Sequence, residues 1–352
     1  MSRRTIYALT DYKGFFGSKH FSVPYRSGMD KDLLRNCFQS HNFEIEYIQA
    51  ITIFDSEAHE WAGKYVLYTS SEDPGYFYKS FIEDIVLYLE ETGAIVIPSY
   101  RFLRANNNKI FMELIRRQSK YEEFKNINTR IYGSLEELFP ELGTLAYPLV
   151  IKKAEGSMGK NVAMANNRRE LLRETKGMTK TGGLKFALKE EIRRIIHKGY
   201  KPESKYRHKF IIQELVPGLK NDWKVYVMGD IIYIFYRPVF KKRVFKASGG
   251  GYDNYTYGLA ANIPEGIFDF ASDVYKWLDV PAVSLDIGYD DILKKFYLFE
   301  FQAVYFGTAG ILQNYSKEYF MRVNSEWEYR ENNKTIEEVY SEAVVSYINR
   351  KF

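Results

Sequence analysis

The stretch Tyr147-Pro-Leu-Val-Ile-Lys-Lys-Ala-Glu-Gly-Ser-Met-Gly-Lys-Asn-Val162 constrains this chain more than any other. A short apolar run ends in lysines, crosses a loop of small residues and returns to an apolar run. Such a strand–loop–strand unit sets flexible backbone beside ammonium groups, which is how N–H groups meet phosphate oxygens. In Leu149-Val-Ile-Lys152 the period of two puts Leu149 and Ile151 on one face and Val150 and Lys152 on the other. Lys152, at the strand end, is offered to phosphate as a point charge, and Lys153, on the opposite face, is read as structural. Gly156 and Gly159 permit close backbone approach, with Ser157 and Met158 supplying N–H groups. A snorkelling lysine beside a plain hairpin turn is the bland alternative. The loop is not a Walker A motif, because Ala154 stands where glycine is required and Asn161 where Ser or Thr should follow the lysine. No GxGxxG follows the first strand, so a Rossmann dinucleotide site is not supported.

The 352 residues suffice for two or three packed units. Aromatic residues, at 17% with 30 Tyr and 25 Phe, are unusually frequent and imply a large aromatic core. The net charge of +5, read as dispersed, argues against a nucleic-acid partner. Cys37, the single cysteine, excludes an intramolecular disulfide and is read as structural. His20, His41, His59, His197 and His208 form no zinc-ligand spacing. No apolar segment follows Arg3 and Arg4 as in a signal peptide, and no run approaches the ~20 residues of a membrane span. The expectation is a cytoplasmic protein with no membrane partner.

Strands at Thr5–Leu9, Glu44–Ile48, Tyr65–Thr69 and Ala94–Ile97 alternate with helices at Asp30–Phe38 and Tyr76–Glu91. That alternation predicts a mainly parallel sheet covered on both faces. Phe77, Phe81, Ile85 and Leu89 are taken as the buried stripe of the second helix, with Gly93 just past its end. A helix over Asn106–Gln118 carries an Ile110/Phe111/Leu114/Ile115 stripe. Capped starts are read at Ser134–Glu137 and Asn167–Glu170, a helix at Phe186–Lys198 and a strand at Lys209–Leu215. Beyond these, Trp223–Val227 and Ile231–Arg237 form a hairpin turning at Gly229-Asp230. Ala282–Gly288 and Lys295–Gln302 form another, with helices at Gly266–Leu278 and Thr335–Arg350.

Four segments recur in an order that carries further meaning: the phosphate loop, Phe210-Ile-Ile-Gln-Glu-Leu-Val-Pro-Gly218, Asp222-Trp-Lys-Val-Tyr-Val-Met-Gly-Asp230, and the pair Val283-Ser-Leu-Asp-Ile-Gly288 with Tyr297-Leu-Phe-Glu-Phe-Gln302. Over residues 106–310 this resembles the ATP-grasp superfamily, whose members mostly join a carboxylate to an amine at the expense of ATP. The resemblance implies an α/β, more strictly α+β, fold. An N-terminal parallel-sheet domain (1–105) would precede a first lobe (106–215, with a lid over about 130–215) and a C-terminal lobe (216–352), with ATP between the lobes. It implies that Lys109 and Lys152 bind phosphate with the Gly156–Gly159 loop, and that the backbone of Glu214, Leu215 and Val216 reads adenine. Asp222 would hold the ribose, a turn-capping Asp being the alternative. Glu300 and Gln302 share a strand face with Asp286 across the turn, a set suited to Mg²⁺ or Mn²⁺ completed by ATP phosphates and water. A polar solvent face is the alternative, and relatives usually carry Asn where this chain has Gln302. Arg237 would stabilise the transferring phosphoryl group with help from Lys224. The basic segment Pro238–Lys246 and Ser248–Gly251 is read as a loop over the acceptor site or a solvated charge run.

These expectations add up to an ADP-forming ligase that passes through an acyl phosphate, acting on small-molecule carboxylate and amine substrates, with a homodimer as an open assembly. A kinase acting on a hydroxyl or amide, or a non-catalytic ATP-binding protein, would use the same nucleotide residues.

Overall fold

A computed structural model describes residues 3–71, 73, 75–156, 161–239 and 254–352. The chain divides into two compact units, one comprising Met1–Asn106, Asp222–Pro238 and Asp253–Phe352, the other Asn107–Asn221 and Val239–Tyr252. The fold is mixed α/β, as expected.

In the first unit a parallel sheet runs in the order Phe43–Gln49, Arg4–Thr10, Tyr65–Leu67, Ile95–Ile97. The period of two sorts its residues between two cores. Ile6, Ala8, Ile45 and Leu67 join Leu34 and Phe38 of the Lys31–Ser40 helix and Val339, Val344 and Ile348 of the Ile336–Lys351 helix. Leu9 and Val66 face Ile82, Val86 and Leu89 of the Phe77–Glu91 helix. That helix is present, but its expected stripe holds only in part: Leu89 is buried and Ile85 packs against the core, while Phe77 is 80% exposed and Ile82 and Val86 take the buried positions. Residues four apart drift by about 40° per step, so a strict four-residue repeat winds off the buried face, whereas i, i+4, i+7 stays on it.

An antiparallel sheet completes this unit in the order Lys295–Gln302, Ala282–Asp290, Asn221–Met228, Ile231–Pro238, Glu318–Val323, Glu326–Glu331, with Thr256–Tyr257 also paired to Ile231–Pro238. Both expected hairpins are present. The last two strands and Thr256–Tyr257 lay outside the sequence expectation.

The second unit holds an antiparallel sheet ordered Thr129–Tyr132, Phe210–Glu214, Leu149–Lys153, Val162–Ala165. Leu149, Ile151, Phe210 and Ile212 face Leu171 of the Arg168–Thr179 helix, which Asn167 caps by accepting the Glu170 N–H at 3.0 Å. The Lys109–Arg117 helix also forms, but its stripe needs correction. Met112, Glu113, Ile115 and Arg116 are buried, while Leu114 is exposed. The polar pair is buried because it is satisfied. Arg116 donates to Glu113, to the Phe124 and Ile127 carbonyls and to Thr129 Oγ1, and Gln213 Nε2 donates to Glu113 at 3.3 Å and Thr129 at 2.9 Å.

Candidate active site

In the second unit the strand–loop–strand element forms as read. Lys152 pairs with Val162 on one side and Ile211 on the other. Lys109, the first residue of its helix, is buried and reaches the loop twice. Its N–H donates to the Ala154 carbonyl at 2.9 Å and its Nζ to the Gly156 carbonyl at 2.9 Å. Asn161 closes the loop from the far side, donating Nδ2 to the Glu155 carbonyl at 3.3 Å, while its own carbonyl accepts the Lys153 N–H at 3.0 Å. The structure therefore brings Lys109 and Gly156 together, 47 residues apart in sequence. Ser157, Met158 and Gly159 lie outside the described residues, as does the basic segment from residue 240 to Gly251.

Gly156 has φ +115°, and a Cβ added there would lie 2.5 Å from Asn161 Nδ2. Gly156→Ala is therefore expected to destabilise the chain by about 1–3 kcal/mol and to loosen the loop. Urea unfolding with proteolysis at this segment checks it; an unchanged midpoint and cleavage pattern would refute the strained turn.

At the end of the Phe210–Glu214 strand, the Glu214 N–H donates to the Asn128 carbonyl at 3.2 Å and the Leu215 N–H to the Pro148 carbonyl at 3.4 Å. The Glu214 carboxylate accepts the Asn128 N–H at 3.0 Å. With these two donors engaged, the expected adenine-edge donor narrows to the Val216 N–H. Gln213 anchors the same strand end to Glu113 and Thr129, a support that sequence reading missed because it took the helix's apolar residues for its buried face.

In the first unit, four charged side chains meet on one face of the antiparallel sheet. Asp286 lies opposite Lys224 on one neighbour and opposite Glu300 on the other. Lys224 Nζ donates to Asp286 Oδ1 at 2.7 Å. Arg237 holds Asp222 bidentately, Nε to Oδ1 at 2.5 Å and Nη2 to Oδ2 at 2.8 Å, and its Nη2 also lies 3.0 Å from Asp286 Oδ2. Two carboxylates and two cations thus balance in a cluster that is half-buried around the buried Arg237. Burial pushes the Asp286 carboxyl up, but Arg237 and Lys224 outweigh it and hold Asp286 below the usual carboxylate range. Asp222 moves up instead, because burial and the Asp286 charge exceed what its share of Arg237 returns. Burial would lower Arg237, but its two carboxylates hold it firmly charged.

This geometry gives Asp222 a partner the sequence did not anticipate: both its oxygens accept from Arg237. The interleaved carboxylates and cations at alternate strand positions are the signal that was available. Gln302 lies opposite Ser284, and its Nε2 donates to Glu300 Oε1 at 3.0 Å. Ser284 Oγ is buried and makes no hydrogen bond among the described residues.

Among the described residues no three His, Cys, Asp or Glu side chains cluster as a metal cage. Asp286 and Glu300, directly opposite each other on adjacent strands, still fit Mg²⁺ bound with a nucleotide, which takes one or two carboxylates and leaves the rest of its octahedron to phosphate oxygens and water. Gln302, with its amide nitrogen turned to Glu300, braces that carboxylate.

No family model and no curated protein matches the chain. Solved structures do match. D-cycloserine synthetase DcsG has a TM-score of 0.54 at 10% identity over 97% of this chain and 98% of its own. PurK, N5-carboxyaminoimidazole ribonucleotide synthetase in its ADP complex, has a TM-score of 0.52 at 10% identity over 89% of this chain and 73% of its own. The ATP-grasp ligase PsnB, complexed with precursor peptide PsnA2 and AMPPNP, has a TM-score of 0.50 at 12% identity over 99% and 98%. The fold of this chain is the ATP-grasp fold. At such identity the likeness extends to the fold and not to a substrate.

Proposed function

We propose that the chain is an ATP-dependent ligase that joins a carboxylate to an amine through an acyl phosphate. The observation that carries the reading is the balanced Asp222–Arg237–Asp286–Lys224 cluster beside Glu300 on one sheet face. It presents a preoriented guanidinium and an ammonium next to a carboxylate pair, a set suited to a phosphoryl group in transfer. Three solved neighbours are named as a synthetase, a synthetase and a ligase, in keeping with that class.

In this reading Lys109, Lys152 and the Gly156 loop hold the phosphates, and the Val216 N–H reads the adenine edge. Mg²⁺, held by Asp286 and Glu300 when bound, would neutralise phosphate charge. The substrate carboxylate oxygen attacks the γ-phosphorus as the bond to ADP breaks. The amine nitrogen then attacks the acyl carbon, phosphate leaves with the carbon–oxygen bond, and the amine loses a proton. Arg237 and Lys224 stabilise the charge on the transferring group, so no enzyme nucleophile is needed.

The test is ADP release screened against amino acids, peptides and amino or acidic sugars, with mass spectrometry of the products. An amide product with ADP and phosphate supports the ligase. A phosphorylated hydroxyl or amide identifies a kinase on the same nucleotide site. ATP binding without turnover on any substrate would indicate a binding protein.

A further inference from the structure

The Leu184–Ile196 helix is turned inside out. Its buried residue is Glu190, whose carboxylate accepts from Arg193 at 2.5 Å, the Tyr200 hydroxyl at 2.5 Å and the Glu203 N–H at 2.9 Å. Its aliphatic residues face solvent: Leu184, Leu188, Ile192, Ile195 and Ile196 are between 47% and 92% exposed. At 3.6 residues per turn these five fall within a sector of about 120°, opposite Glu190. An unpartnered aliphatic ridge of this kind marks an interaction surface.

The ridge lies in the most basic part of the chain. Residues 176–209 hold eleven Lys or Arg against three Glu, so this segment alone carries +8 where the whole chain carries +5. The dispersed charge expected from overall composition is therefore corrected here. At the helix's N-terminal end a concavity of about 280 Å³ is lined by Lys176, Lys180 and Lys205 with Gly177, Gly182 and Gly183.

We propose that this face docks on an anionic lipid bilayer, the ridge entering the acyl boundary and a headgroup phosphate occupying the lysine-lined concavity. A bilayer asks only for apolar area and the right sign of charge. The ridge offers that: its five aliphatic side chains share one exposed face, and Lys185 and Lys189 on the same side of the helix can snorkel toward headgroups. No helix of the described residues is long and apolar enough to cross a membrane, and a helix lying on the surface needs no such length. The expected absence of a membrane partner rested on spans alone. This docking is independent of the nucleotide chemistry.

The test is sedimentation of the full chain with phosphatidylglycerol/phosphatidylcholine vesicles and with phosphatidylcholine vesicles, at low and high salt. Binding at least ~10-fold tighter to the anionic vesicles, weakened by salt, is expected. Leu188→Glu/Ile195→Glu should lose binding by a similar factor with an unchanged far-UV circular dichroism spectrum. Lys176→Gln/Lys180→Gln/Lys205→Gln should lose the anionic preference. Equal partition onto both vesicles, or ridge variants that bind as wild type, would overturn the proposal. So would inorganic phosphate binding as tightly as the vesicles. Capture by poly-glutamate but not by vesicles would put an acidic polypeptide there instead, and self-association abolished by the ridge variant without vesicle binding would put a second copy there.

Discussion

Arg237→Ala is expected to damage the fold and the chemistry together. The buried guanidinium is the shared partner of two half-buried carboxylates, and its removal leaves Asp222 and Asp286 with Lys224 alone. Breaking a buried pair by deleting one member typically costs about 3–5 kcal/mol, which should appear as a large fall in the urea midpoint. Arg237→Lys separates the two roles. It keeps the charge, so most of the stability should return. A lysine, however, cannot hold Asp222 bidentately and face Asp286 at once, and turnover should stay down by roughly 10²–10³-fold, the usual loss when an oriented donor to a charged transition state is removed. Stability restored with full ADP release would reduce Arg237 to a structural cation. Neither variant should alter the loop around Gly156, which belongs to the other unit.

The charged cluster also shows how far the sequence could be read. Hairpin periodicity put Glu300 and Gln302 on one face, and the register confirms that Asp286 lies opposite Glu300. Strand alternation cannot say which charges pair. Arg237 takes Asp222 because the two project from adjacent strands of the same hairpin, a pairing that strand alternation alone does not show. Lys109 shows the same limit at longer range. A lysine in a first helical turn has no sequence signal tying it to a glycine carbonyl 47 residues away. Two helices were found correctly and faced correctly only in part, with Leu89 and Ile115 buried as expected. In the Phe77–Glu91 helix the aromatic Phe77 lies on the solvent side, an exposure that a folded surface tolerates. In the Lys109–Arg117 helix a satisfied Glu113–Arg116 pair took the buried positions that apolar residues were expected to fill. Polar burial of that kind depends on partners from distant segments, here Gln213 and Thr129, and composition cannot reveal them.

Glu300→Gln and Asp286→Asn are both expected to suppress turnover, and they should differ in stability. Each removes one negative charge from the pair that would hold Mg²⁺ against the phosphates, so ADP release should fall on the order of 10³-fold, several kcal/mol of charge stabilisation. Asp286 is also bound by Lys224 and Arg237, and Asn in its place leaves the buried Arg237 and half-buried Lys224 with one carboxylate. That variant should lose about 3 kcal/mol of folding stability. Glu300 accepts the Gln302 amide, a bond that a glutamine oxygen can also accept, so Glu300→Gln should unfold within about 1 kcal/mol of wild type. A Mg²⁺ titration of ADP release then isolates the metal role, with the Glu300→Gln enzyme needing far more metal for any residual rate. Gln302→Asn completes the comparison: a shorter amide no longer reaches Glu300 as it does now, so the metal requirement should shift if the brace matters. Full turnover in Glu300→Gln at ordinary Mg²⁺ would remove this carboxylate pair from the reaction.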